Sequence, residues 1–219
     1  MLWAATDNGL WVVDPNRGIP LVYDSDLPSR FVTSLEWQGD LLWVGTDRGL
    51  ASVDAAGVVS DDYGTVGSAV LDLAVVSDTL WVATQIGLAL MTSEMNTVGV
   101  PAEVTEQFEL GGRIHALTST GDTLVVATRS RLLWRAAGVW NEDRRVSAVG
   151  EITSLTAYDG TVYVGGSAGF AVLRLGGGIR IHNLAGDLPA PVLDLAVRGS
   201  TLWIATELGL VRFDRRAVE

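Results

Sequence analysis

The chain has no cysteine and no lysine among its 219 residues, so all 15 basic side chains are arginine. Without cysteine there are no disulfides, no thiolate metal sites and no cysteine nucleophile, and the redox compartment stays open. Only two histidines are present, His115 and His182. They are isolated from each other, and neither has a Ser, Asp or Glu at a spacing that suggests a triad. No transition metal and no cofactor is therefore expected. No run of eighteen apolar residues occurs, so no transmembrane helix is expected. The opening MLWAATDNGL lacks the basic region and long apolar core of a secretory signal. Localisation stays open between the cytoplasm, if Met1 is native, and the periplasm or exterior, if Met1 replaced a leader. Positive charge is scarce: 26 acids give a net charge of −11. Such a surface repels phosphate backbones and anionic lipid, which argues against nucleic acid and membranes as partners.

What the sequence has instead is repetition. LWAATDNGL (2–10), LWVGTDRGL (42–50), LWVATQIGL (80–88), LVVATRSRL (124–132), VYVGGSAGF (162–170) and LWIATELGL (202–210) align without gaps. Their starts are separated by 40, 38, 44, 38 and 40 residues. Each unit begins as a short β-branched and aromatic strand. Two variable residues and a glycine follow, which predicts a tight hairpin with the glycine at positive φ. A second apolar run then forms the next strand. A second set of segments precedes five of these units: VTSLEWQGD (32–40), VLDLAVVSD (70–78), IHALTSTGD (114–122), ITSLTAYDG (152–160) and VLDLAVRGS (192–200). These read as strands ending in a turn. A weaker fourth strand fills each gap, as at Leu21–Tyr23 and Ile179–His182. Helical periodicity is absent.

Four antiparallel strands per 40 residues predict an all-β fold, a β-propeller occupying residues 1–219 as one domain. Labelled outward from the propeller axis, the strands number five A, six B, six C and five D. Six blades are favoured over five, with the first blade lacking strand A and the last lacking strand D. LPSRFVTSLEWQGDLLWVGTDRGLASVD (27–54) and LPAPVLDLAVRGSTLWIATELGLVRFD (188–214) resemble the two-component-regulator propeller repeat family. The resemblance covers essentially the whole chain. It implies a sensor-like or interaction propeller, such as those in periplasmic parts of bacterial sensor kinases.

Candidate functional residues are those that depart from the repeat. The third position of strand A reads Ser34, Asp72, Ala116, Ser154 and Asp194. Asp72 and Asp194 there are candidate ligands for a cation or polar molecule. Arg30, Arg113 and Glu151 precede the same strands and are candidates for the mouth of a central concave site. Trp3, Trp43, Trp81 and Trp203 are expected to pack between blades. Trp11 stands where the other blades have Ala51, Ala89, Leu133, Ala171 and Val211, and is a candidate to fill space left by the missing strand. Arg131 replaces the hairpin glycine in blade four, so that turn should take another geometry. Trp134 and Trp140, with the charge run NEDRR (141–145) nearby, form a candidate partner surface, and Trp11 is a further candidate for partner contact. The longest loop is expected within 91–107.

These features place a non-enzymatic binding or scaffold propeller first, with a protein or a small polar ligand as its partner. Self-association through the incomplete terminal blades goes with that reading. Two alternatives stand: a small propeller enzyme, lyase- or hydrolase-like, acting at the channel mouth, and an engineered propeller made for its fold, which the uneven repeats disfavour.

Overall fold

The structure is a computed structural model and describes all residues except 15, 17–19, 62, 64–67, 92–96, 99–112, 185 and 219. Most of the loop expected within 91–107 lies outside the described residues. The chain divides into two units, Met1–Arg113 and Ile114–Glu219, and each holds three antiparallel sheets.

In the first unit, the first sheet has the order β1 (Leu2–Thr6), β2 (Gly9–Val13), β3 (Pro20–Tyr23). The second follows as β4 (Val32–Gln38), β5 (Leu41–Thr46), β6 (Gly49–Val53), β7 (Val59–Ser60). The third follows as β8 (Val70–Val76), β9 (Thr79–Thr84), β10 (Gly87–Met91), β11 (Thr97–Val98). In the second unit, the fourth sheet is β12 (Ala116–Thr120), β13 (Thr123–Ala127), β14 (Leu132–Ala136), β15 (Val139–Asp143). The fifth is β16 (Ile152–Tyr158), β17 (Thr161–Gly166), β18 (Gly169–Arg174), β19 (Ile179–Asn183). The sixth is β20 (Val192–Arg198), β21 (Thr201–Thr206), β22 (Gly209–Asp214), followed by a four-residue helix α1 (Arg215–Val218). These are β-propeller blades. Among the described residues the strand positions number five, six, six and five, with an inner strand missing from the first sheet and an outer one from the sixth.

The hairpin glycines do what the sequence requires of them. Gly9, Gly49, Gly87, Gly169 and Gly209 all have φ between +102° and +147°. In four of these five hairpins the threonine that ends the preceding strand closes the turn: the hydroxyls of Thr6, Thr46, Thr84 and Thr206 donate to the glycine carbonyls at 2.7–2.8 Å, while Gly166 ends the strand before Gly169. Blade four departs as expected, since Arg131 is not among the residues with positive φ. Its turn is held by the Thr128 amide donating to the Arg131 carbonyl at 3.0 Å, and the Arg131 guanidinium pairs with Glu142.

Each unit builds its core between successive sheets. In the first unit Leu10, Leu42, Val44 and Val53 join the first two sheets, and Trp43, Leu50, Val70 and Leu80 join the next two. In the second unit Leu132, Val149 and Val162 join the fourth and fifth sheets, and Tyr163, Phe170, Leu195 and Leu202 join the fifth and sixth. Trp43 and Trp81 are buried as expected, whereas Trp3 and Trp203, in the terminal sheets, are only half-buried.

Candidate functional site

The inner strands β4, β8, β12, β16 and β20 carry the polar residues that the sequence offers as ligands. Several of these bond to a neighbouring sheet. The Thr33 hydroxyl donates to the Val70 carbonyl at 2.8 Å, and Thr153 donates to the Val192 carbonyl at 2.7 Å. His115 holds the same repeat position, and its Nδ1 lies 3.2 Å from the Ile152 carbonyl oxygen. Asp194 accepts from the Ser154 hydroxyl at 2.7 Å and from the Leu195 amide at 2.8 Å, and that amide also reaches Ser154 Oγ at 3.0 Å. Ser154 is buried at 5% exposure, so this triangle ties the fifth sheet to the sixth. Asp72 Oδ1 accepts from the Leu73 amide at 2.9 Å. Nearby, Glu36 is held above the usual carboxylate range by burial, and the Val75 amide bonding to it partly offsets this.

The residues expected at the channel mouth are engaged in ion pairs or exposed. Arg30 pairs with Asp24 at 3.3 Å, both well exposed. Glu151 pairs with Arg129 at 2.9 Å, and Arg113 is exposed at the end of the first unit. Thus Arg30, Asp72 and Arg113 belong to the first unit, and Glu151 and Asp194 to the second.

The partner surface expected around blade four turns largely inward. Trp140 is buried at 6% exposure, and Trp134 packs half-buried against the core of the fourth and fifth sheets. The NEDRR run is occupied with itself. Arg145 grips Asp143 through Nε and Nη2, the latter at 2.6 Å, and also donates to the Gly177 carbonyl at 2.9 Å. Glu142 takes both Arg131 and Arg144. The Arg131 hydrogen bond holds the Glu142 carboxyl below the usual range, and the Arg145 hydrogen bond does the same for Asp143. The run ends in a 3-10 turn at Arg145–Val149, which buries Val146 and Val149.

A different site lies in the first unit, between the first two sheets. An open cleft of about 590 Å³ is lined by Trp3, Tyr23 and Trp37, with Asp40 and Asp54 among its other residues. Trp3 and Tyr23 are cross-strand neighbours of Val12 and Leu10 within the first sheet, which places both on the face turned to the second sheet. Their rings stack at 6.2 Å, and Trp37 meets Trp3 edge-on at 5.9 Å and 84°. Trp37 keeps 49% of its surface exposed. The far wall is the turn from Asp54 to Val58. Asp54 Oδ1 shapes it by accepting the Ala56 and Val58 amides at 2.9 and 2.8 Å. Gly57 lets this wall approach: its φ is +82°, and a Cβ there would stand 2.7 Å from the Tyr23 hydroxyl. The arrangement offers aromatic surface beside two carboxylates. That is the chemistry of cation recognition, because ring faces and carboxylates both attract positive charge.

Trp37 is the residue that sequence reasoning missed. Its signal was a departure within the repeat, since Val75, Ser119, Ala157 and Val197 occupy the same place in the other inner strands. On the fifth sheet, a smaller cleft of about 320 Å³ has the opposite character, with Arg174 and Arg180 in its lining. Among the described residues, no group of three or more His, Asp or Glu side chains could hold a metal ion.

No family model matches the chain, and no curated protein matches it. Solved structures do. The extracellular domain of the putative one component system BT4673 from B. thetaiotaomicron superposes with a TM-score of 0.72 at 18% identity, covering 96% of this chain and 30% of that one. Virginiamycin B lyase from Staphylococcus aureus superposes with a TM-score of 0.76 at 14% identity, over 96% of this chain and 76% of that one. PorZ of Porphyromonas gingivalis, a component of the type-IX secretion system, gives 0.71 at 16%, over 95% and 28%. This chain therefore spans about 30% of the BT4673 domain's length. Together with the six antiparallel sheets, these likenesses establish the fold as a β-propeller.

Proposed function

We propose that the chain is a non-enzymatic binding propeller of the two-component-regulator repeat type, and that it engages a basic segment of a partner protein through the aromatic cleft. The observation that carries this reading is the grouping of Trp3, Tyr23 and Trp37 with Asp40 and Asp54 around one open cleft. A net charge of −11 favours a cationic partner over the range of the whole surface. An enzyme working at the inner strands would call on Asp194 and His115, and both already bond to a neighbouring strand. A sensor or scaffold role also accords with the neighbours of this fold. BT4673 is described as a putative one component system, and PorZ as a bacterial surface component.

The test is calorimetric titration with an arginine-containing peptide, an acidic peptide of equal length and a neutral oligosaccharide. The basic peptide is expected to bind, and to bind more weakly as salt rises. Trp37→Ala should weaken it by roughly 2- to 30-fold, the equivalent of about 0.5–2 kcal/mol for a cation on a ring face. No binding of the basic peptide, or binding indifferent to Trp37→Ala, would overturn the proposal.

A further inference from the structure

The smaller cleft, on the fifth sheet, is built from departures from the repeat. Five residues past the hairpin glycine stand Asp14, Asp54 and Asp214 in the first, second and sixth sheets. Each spends a carboxylate oxygen on the turn that follows: Oδ1 accepts the Asn16 amide, the Ala56 and Val58 amides, and the Arg216 amide, all at 2.8–3.0 Å. The fifth sheet has Arg174 at this place. Its turn is closed by backbone and glycine instead, the Gly177 amide donating to the Arg174 carbonyl at 2.8 Å and Gly176 taking a φ of +71°. The Arg174 side chain is thus not spent on the turn.

A second departure meets the first. Arg180 on β19 is the cross-strand partner of Val172, and its place in the first four sheets is taken by Leu21, Ser60, Val98 and Asn141, none of them charged. Side chains two apart on a strand share a face, so Arg174 lies on the face of Val172 and Arg180. Thr161, the cross-strand partner of Arg174, lies there too. All four line the cleft. Arg174 and Arg180 are exposed, and among the described residues neither side chain has a hydrogen-bond or ion-pair partner. Thr161 is buried at 3% exposure, and among the described residues its hydroxyl has no hydrogen-bond partner. Like charges set on one face of a sheet repel, and a shielded hydroxyl left unpaired costs stability. An anion in the cleft answers both.

We infer that this cleft binds a small phosphate monoester, held by the guanidinium groups of Arg174 and Arg180 and the hydroxyl of Thr161. A carboxylate has two oxygens and is satisfied by one guanidinium fork. A phosphate monoester presents three charged oxygens, enough for two forks and a hydroxyl donor. The volume of about 320 Å³ is at the small end of ligand sites. It leaves room beside the phosphate for a short carbon chain against Val172. Every residue of the lining belongs to the fifth sheet, so the site is built within the second unit alone and is separate from the aromatic cleft. The net charge of −11 opposes long anionic polymers, which feel the whole surface. A small anion is governed by the charges within about 8 Å of it, because salt screens the rest.

Calorimetric titration of the full chain with glycerol 3-phosphate in a phosphate-free buffer tests this, with succinate and glycerol as controls. Glycerol 3-phosphate should bind saturably, one per chain, and more weakly as salt rises. Succinate should bind roughly 10-fold more weakly or not at all, and glycerol should not bind. Arg174→Asp installs the residue that three other sheets carry at this place, and Arg180→Ala changes an exposed side chain, so both variants should fold; circular dichroism will verify it. Each should lose roughly 10-fold or more in affinity, as the loss of charge-assisted hydrogen bonds does. No saturable binding of glycerol 3-phosphate would overturn the inference. So would succinate binding as tightly, or folded Arg174→Asp and Arg180→Ala proteins that bind as the wild type does.

Discussion

Removing the Asp194 carboxylate separates a structural role for the inner-strand acids from a ligand-binding one. In a binding site an acid is held for function, and its replacement commonly leaves stability unchanged or raises it. In a tie between sheets, replacement costs stability. Asp194 accepts two hydrogen bonds, from the Ser154 hydroxyl at 2.7 Å and the Leu195 amide at 2.8 Å. Hydrogen bonds to a charged group contribute about 1.5–3 kcal/mol each when well shielded. Asp194 itself is exposed, and the Leu195 amide keeps Ser154 Oγ as a second acceptor at 3.0 Å. The expected net loss for Asp194→Ala is therefore near the low end, about 1–2 kcal/mol. For a chain of this length that lowers Tm by about 2–8 °C. Asp194→Asn keeps an acceptor at the same place and should lose less than half as much. The double-mutant cycle with Ser154→Ala should return a coupling of about 0.5–1.5 kcal/mol. The assay is thermal unfolding followed by circular dichroism. An Asp194→Ala protein as stable as the wild type, or more so, would refute the reasoning and return Asp194 to the list of ligand candidates.

Two further predictions concern the hairpins and blade four. Gly169→Ala should cost far more than Gly209→Ala: both sites have positive φ, but a Cβ at Gly169 would stand 2.0 Å from the His182 carbonyl oxygen, whereas the Gly209 site is open. Strain alone predicts a loss of about 1–2 kcal/mol at Gly209, and equal Tm losses at the two sites would contradict the account. Glu142 and Asp143 are held below the ordinary carboxylate range by their arginine partners. Their contribution to stability is thus full above that range and lost as pH falls through their lowered values. The gap in Tm between wild type and Glu142→Gln/Asp143→Asn should close as the solution is acidified; a gap that persists or widens in acid would contradict the assignment.

The fold was legible because its turns are chemically demanding. A hairpin glycine at positive φ recurs every 40 residues or so, in four of five cases with a threonine that caps it, and Arg131 announced the one turn without the glycine. The incomplete first and last blades were legible too, from a count of strands. The site was much harder to read, for two physical reasons. Aromatic residues serve packing and binding alike: Trp140 is buried, while Trp37, which sits in the run of a predicted strand, stands half in the open. Hydrogen bonds between sheets join residues about 40 apart, so Ser154 with Asp194, or His115 with the Ile152 carbonyl, emerge only once neighbouring inner strands lie side by side. The alternation of Ser and Asp at one repeat position was the trace of this in the sequence, and it reads equally well as a row of ligands.

The most direct test of where this propeller binds is a backbone and indole chemical-shift map of the protein titrated with an arginine-containing peptide. Saturable shifts are expected at the indoles of Trp3 and Trp37 and at the amides of Tyr23, Asp40 and the Asp54–Val58 turn, with the inner-strand amides around Asp72 and Asp194 unmoved. Shifts centred on Asp72 or Asp194, with the cleft unmoved, would contradict it.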